Sequence, residues 1–145
     1  MLNIRFYEEK DLEDLAALMA DLGYPTDREQ MGRRMKRIME ESSYFTFVAV
    51  KDNRVVGMIG CREAVGYEFD DCSVQINALV TKQEVQGQGI GRALLQNVEQ
   101  WAKERGAKGL FLTSGNKPER KYAHEFYQQL GFIITVFPER ESPLL

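Results

Sequence analysis

Gln86-Gly87-Gln88-Gly89-Ile90-Gly91 is the stretch whose residue types and spacing point most directly to chemistry. Three glycines in five positions leave the main chain bare, at the junction between an apolar run and a helical pattern. The first four N–H groups of a helix have no partner within it, and the macrodipole adds positive potential there. With no Cβ in the way, a bulky anion can approach such groups closely. The stretch therefore reads as a phosphate cradle. Alone, it also reads as a flexible glycine turn before an ordinary helix. A dinucleotide fingerprint GxGxxG would need glycine at position 92, where the chain has Arg92. That fingerprint also expects a tight turn directly from the strand and an acidic residue ending the next one. Thr81 to Val85 intervene in the first place, and Thr113-Ser114 stands in the second. The P-loop pattern GxxxxGK[ST] is absent. Cys61 and Cys72 form no CxxC pair, and His124 is the single histidine, so no metal is expected. The two cysteines read as small strand hydrophobes in a reduced compartment.

The elements that must position this cradle can be read from periodicity. Asn3 to Tyr7 alternates as a short strand. Asp11 can cap a helix carrying Leu12, Leu15, Ala16, Leu18 and Met19, which Gly23-Tyr24-Pro25 stops. Thr26 or Asp27 can cap a second, with Met31, Met35, Ile38 and Met39 at helical spacing. Tyr44 to Val50 is strand-like, and Asp52-Asn53 turns it into a second strand over Val55 to Cys61. Tyr67 to Asp71 reads as an acidic turn, and Val74 to Val80 as the next strand. After the glycines, Ile90, Leu94, Leu95, Val98, Trp101 and Ala102 share one helix face, which Gly106 ends. Leu110 to Thr113 is a short buried strand, Pro118 suits the first turn of a helix capped by Gly131, and Phe132 to Phe137 is the last strand. The order β-α-α-β-β-β-α-β-α-β implies an α/β (α+β) mixed sheet with helices on both faces.

With 145 residues, the chain is expected to form one domain over 1–145. A net charge of −3 argues against broad nucleic-acid binding. No apolar run nears the roughly 20 residues of a membrane span. No basic region and apolar block open the sequence, so no membrane partner and a cytoplasmic location are expected.

Two motifs then act together. Asn77 to Val80, followed by Gln86 to Leu95, resembles the acyl-CoA-binding signature of the GNAT superfamily (general-control-related N-acetyltransferases). That signature is Arg or Gln, two residues, Gly, one residue, then Gly or Ala, here Gln86, Gly89 and Gly91. Asn116 and then Ala123 to Phe132 are similar to the family's second signature, a helix ending in Tyr-x-x-x-Gly-Phe. The resemblance covers the chain from Met1 to about Phe137. It departs at the end, where Pro138 to Leu145 holds two prolines, leaving the final strand absent, short or supplied by a partner.

The resemblance implies acetyl-CoA as co-substrate and a direct transfer to a primary amine of a small molecule or peptide. The pyrophosphate would lie on Gln86, Gly87, Gln88, Gly89, Ile90, Gly91 and Arg92. The pantetheine arm would run beside Leu79, Val80 and Thr81, with Asn116 holding it or capping the helix. A main-chain N–H near Leu79 would be the oxyanion donor, and Tyr127 the acid for the departing thiolate. His124, three residues before Tyr127, suits helix packing better than proton transfer. Many members carry a glutamate base on the fourth strand; Gln75 and Asn77 stand nearest here and cannot act as bases. Glu63, Glu68, Asp70 and Asp71 are weaker candidates, and the base is unassigned. Tyr24, Met31, Met35 and Tyr67 suit an acceptor pocket or core packing equally. The rival readings are a non-catalytic acyl-CoA sensor of the same fold and a nucleotide-binding domain of another class. The short tail suits a homodimer.

Overall fold

Six strands are hydrogen-bonded in sequence order in the computed structural model, which describes residues 1–65, 67, 70–112 and 134–136. They are β1 (Asn3–Phe6), β2 (Tyr44–Lys51), β3 (Arg54–Ala64), β4 (Ser73–Thr81), β5 (Gly109–Leu112) and β6 (Ile134–Val136). Neighbours are antiparallel except β4 and β5, which run parallel because α3 (Ile90–Glu104) crosses between them. The mixed sheet expected from the sequence is the one found. The helix expected from Pro118 to Gly131 and the tail after Val136 lie outside the described residues.

Period-two alternation divides the strands between two cores. On one face, Phe47, Ile59, Cys61, Val74, Ile76, Leu79 and Leu110 pack against Ile90, Leu94, Leu95, Val98 and Ala102 of α3. On the other, Val48, Val55, Met58 and Val80 receive α1 (Leu12–Leu22) and α2 (Arg28–Glu40) through Leu15, Leu18, Met31 and Met35. Met31 and Met35 are thus core residues, whereas Tyr67 is fully exposed.

The helix ends follow local chemistry. Gly23 closes α1 in the left-handed region at φ 106. Asp27 Oδ1 accepts the Gln30 N–H at 2.7 Å and caps α2. Asp11 precedes α1 as expected, but its carboxylate does not cap that helix. It is turned to Arg5, which donates to it from both Nη atoms at 2.9 Å, and to the Glu8 N–H at 2.8 Å. A fixed guanidinium outcompetes the helix N–H groups for this nearly buried carboxylate.

Candidate active site

The β4–α3 connection carries Leu79 to Thr81 and Gln86 to Arg92 of the sequence-predicted residues. β4 ends at Thr81, a single 3-10 turn spans Gln83–Val85, and α3 starts at Ile90. Gly89 holds the N-cap position at φ 83, and Gly87 has φ 88; both lie where L side chains are strained. A Cβ on either would meet nothing within 4 Å. These glycines therefore serve backbone conformation, and the space over them is open. No side chain caps α3, and its first turn carries no acidic residue. The first intrahelical bond runs from the Ala93 N–H to Gly89 O at 3.0 Å, so the N–H groups of Gly89, Ile90, Gly91 and Arg92 have no partner within the helix.

A glycine that the sequence reading passed over sets the helix height. A Cβ at Gly57 of β3 would lie 3.1 Å from Ile90 Cγ2 and 3.2 Å from Leu94 Cδ1. Gly57 thus lets the first turn of α3 settle directly on β3. Two more contacts tie the connection down. The Gln83 N–H donates to Asp21 Oδ2 of α1 at 3.4 Å, and Lys51 Nζ donates to Gln88 Oε1 at 3.3 Å.

β4 itself is broken. Ala78 lies opposite Gly60 and Ile76 opposite Cys61, so Asn77 is an extra residue and bulges. The bulge reverses the side-chain phase. Val74 and Ile76 face α3 before it, and Leu79 faces α3 after it, while Val80 faces α1 and α2. The apolar spacing 74, 76, 79 is the sequence signal of this slip.

The register also fixes where the backbone points. Lys82 donates its N–H to Val56 O at 2.9 Å. In an antiparallel pair the bonded residues alternate, so the N–H groups of Leu79 and Thr81 point away from β3. On that side β5 pairs only with Val74, Gln75 and Ile76. Among the described residues no strand covers Asn77 to Thr81 there, and this open edge leads to the glycine cradle.

Such a site, an open strand edge running into an uncapped, glycine-lined helix start, can take an extended amide-bearing chain that ends in a phosphate. A family model described as Acetyltransferase (GNAT) family matches residues 10–132. The chain belongs to the GNAT acetyltransferase family. Its relatives include the uncharacterized N-acetyltransferase YhdJ of Bacillus subtilis (strain 168), 28% identical over 121 residues and 83% of each chain. N-alpha-acetyltransferase 30 of Schizosaccharomyces pombe is 28% identical over 133 residues, covering 91% of this chain and 84% of that protein. The crystal structure of a GNAT family acetyltransferase from Staphylococcus aureus superposes with a TM-score of 0.75 at 26% identity, covering 99% of this chain and 96% of that one. The chain is accordingly an acetyltransferase, from a family that generally uses acetyl-CoA.

The remaining candidates that the structure describes, Glu63, Asp70 and Asp71, lie away from the cradle. Glu63 stands near the far end of α3, where Arg105 donates to its two oxygens at 2.8 and 3.0 Å. That hydrogen bond and charge hold its carboxyl below the ordinary range. Cys72 Sγ donates to the same carboxylate at 3.6 Å. Burial pushes the Cys61 thiol up to about 12. Asp70 is exposed and Asp71 half-buried, both just before β4 and therefore at the end opposite the cradle. Glu68, Asn116, His124 and Tyr127 lie outside the described residues. Among the described residues no cluster could hold a metal, and no helix is long and apolar enough to cross a membrane. A groove of about 290 Å³ lies at the start of β2, lined by residues including Phe6, Met39, Tyr44 and Thr46; it touches neither the cradle nor the open edge.

Proposed function

We propose that the chain moves an acetyl group from acetyl-CoA to a primary amine of a small molecule or peptide by direct attack of the amine. The observation that supports this most is the start of α3, with N–H groups that have no partner within the helix, no side-chain cap, no acid in the first turn and open space over two glycines. Gln86 to Arg92 would hold the pyrophosphate on main-chain N–H groups, with Arg92 as an added cation. Leu79, Val80 and Thr81 would line the pantetheine arm, amide against amide, as an added strand does. Bound acetyl-CoA would supply the acetyl group as a thioester and leave as a thiol.

The Leu79 N–H, pointing to the open edge, would donate to the carbonyl oxygen where negative charge gathers. One such donor is worth about 2.7–4 kcal/mol in the transition state. Tyr127, assigned from its motif, would give its proton to the departing sulfur; a phenol with pKa about 10 is protonated at neutral pH. Asn116 would hold the arm. Neither cysteine serves as a nucleophile in this reading, since Cys61 is fully buried and Cys72 is bonded to Glu63. We leave Glu63 out of the base role because it is committed to Arg105. A lysine-like amine with pKa about 10.4 costs roughly 4–5 kcal/mol to deprotonate at pH 7, whereas an α-amine with pKa about 8 costs little over 1 kcal/mol. The name of the Schizosaccharomyces pombe relative, an N-alpha-acetyltransferase, supports an acceptor of the second kind.

Thermal unfolding with coenzyme A, NAD or ATP tests the donor. Ligand at about 100 times its dissociation constant adds about 2.7 kcal/mol, and only coenzyme A and its acetyl form should do so. Stabilisation by NAD without any by coenzyme A would sink the reading. Tyr127→Phe should lower kcat about 100-fold or more and leave acetyl-CoA affinity within about twofold. Unchanged turnover removes Tyr127 from its role.

A further inference from the structure

The sheet face that receives α1 and α2 changes character toward the β3–β4 turn. Val48, Met58 and Val80 carry the two helices. Farther along the same strands, Tyr44, Arg62 and Gln75 stand directly opposite one another on β2, β3 and β4. Arg62 belongs to this face by alternation, because Cys61 packs toward α3 and Glu63 reaches Arg105 just past that helix. Gln75 is two residues before the bulge at Asn77, so the row lies about 7 Å along the strand from the break.

Arg62 is a half-buried cation. Its Nη2 donates to Gln75 Oε1 at 2.8 Å, while its Nε is shielded from solvent and has no partner. Among the described residues no carboxylate lies within ion-pair distance of it. The other arginines packed onto this sheet are served differently. Arg5 is held by Asp11, Arg54 by Asp14 and Arg105 by Glu63, each through two nitrogens or two oxygens. Shielded charges are normally paired, because an unpaired one loses hydration without return. A guanidinium on the same stretch of sheet, its row about 13 Å along β4 from Leu79, has donors to spare that suit a planar anion.

We propose that Arg62 binds an anionic group of the acceptor, so that the preferred substrate is a primary amine carrying a carboxylate a few bonds away. A free amino acid and a peptide with an acidic first residue share that chemistry. The inference rests on the acetyl-transfer reading above. It makes Arg62 a specificity residue.

Paired acceptors test it: a free amino acid against its carboxamide, and a peptide beginning with Glu against one beginning with Gln. The wild-type enzyme should favour the charged member of at least one pair by tenfold or more in kcat/KM, and which pair responds identifies the source. Arg62→Gln should erase that preference while leaving neutral amines within about threefold and coenzyme A affinity unchanged. Arg62→Lys should restore part of it. Gln75→Glu, which gives Arg62 an internal carboxylate, should erase it as well and serves where Arg62→Gln does not fold. Equal kcat/KM for both members of each pair overturns the proposal, as does a panel in which no carboxylate-bearing amine is bound or acetylated. Coenzyme A binding in that experiment would leave the acetyl-transfer reading standing; its loss would end both.

Discussion

The two ends of α3 are made in opposite ways. At the N-terminal end the helix starts on Gly89, with no capping side chain and open space around the preceding turn. At the C-terminal end side chains close in on one another. The Arg105 guanidinium lies 4.7 Å from the Phe45 ring centre and 4.9 Å from that of Trp101, and it holds Glu63 through two hydrogen bonds. Trp101 meets Phe45 at 4.7 Å and Phe47 at 5.6 Å, and Phe47 stacks on Phe6 at 4.5 Å. Cations suit a helix C-terminus and anions its N-terminus. The chain fills the first demand with its own side chains and, among the described residues, leaves the second unmet. A helix anchored at one end can present the other unsatisfied, because packing of its apolar stripe supplies the stability that a cap would otherwise add.

The sharpest way to break this comparison is one substitution at each end. Gly89 and Gly106 both have positive φ, 83 and 79, and a Cβ on either meets nothing within 4 Å. Gly89→Glu should raise the coenzyme A dissociation constant at least 100-fold, through a side chain in the ligand's space and a like charge. Gly106→Glu carries the same strain, about 1–2 kcal/mol, and should leave coenzyme A affinity within about twofold. Calorimetric titration of both proteins reads the difference. Equal losses would mean that the open end is not the ligand's end.

Arg105→Ala attacks the closed end instead. It removes an ion pair whose partners are 39% and 24% exposed, together with two ring contacts. Partial exposure keeps the pair itself near 1 kcal/mol or less, and the ring contacts add a similar amount. Unfolding should become easier by about 1–2 kcal/mol, with coenzyme A affinity unchanged. The acid limb of the stability profile gives the sign. The Glu63 carboxyl titrates below its unfolded value because Arg105 hydrogen-bonds to its charged form. Its contribution is therefore complete above about pH 4.3 and is lost as pH falls through the lower, folded value. Glu63→Gln should be less stable at neutral pH and lose less on acidification below that point. Parallel acid limbs for the two proteins would show that the pair is decorative.

How much of these two ends could be read from residues follows from the range of the forces involved. The open end was legible because its determinants are local: glycines at fixed offsets, an apolar stripe behind them, and a motif that spans ten residues. The closed end was not, because Glu63 and Arg105 are 42 residues apart and nothing in either neighbourhood announces the other. Arg62 and Gln75 met only once the hairpin register was known. The bulge at Asn77 sits between these cases. Its trace, apolar residues at 74, 76 and 79, was in the sequence but passes for an ordinary strand until the register is counted. Asp11 shows a local rule overridden, since a helix-capping residue was taken by an arginine from β1.

The smallest expected effect lies at the rim of the open end. Lys51, from the end of β2, reaches Gln88 Oε1 across 37 residues of sequence. It brings a half-exposed cation to the edge of the cradle without adding to the helix N–H groups themselves. Its attraction for a phosphate is therefore mostly long-range and screened by water. Lys51→Met should weaken coenzyme A binding about two- to fourfold at low salt. The difference should shrink toward zero near 1 M salt, where the screening length is about 3 Å. The Gly89→Glu defect is steric as well as electrostatic, so it should persist at that salt. Titrations of the two variants at low and high ionic strength would separate the rim of the cradle from its floor, and a Lys51→Met loss that survives 1 M salt would place this lysine in direct contact with the ligand.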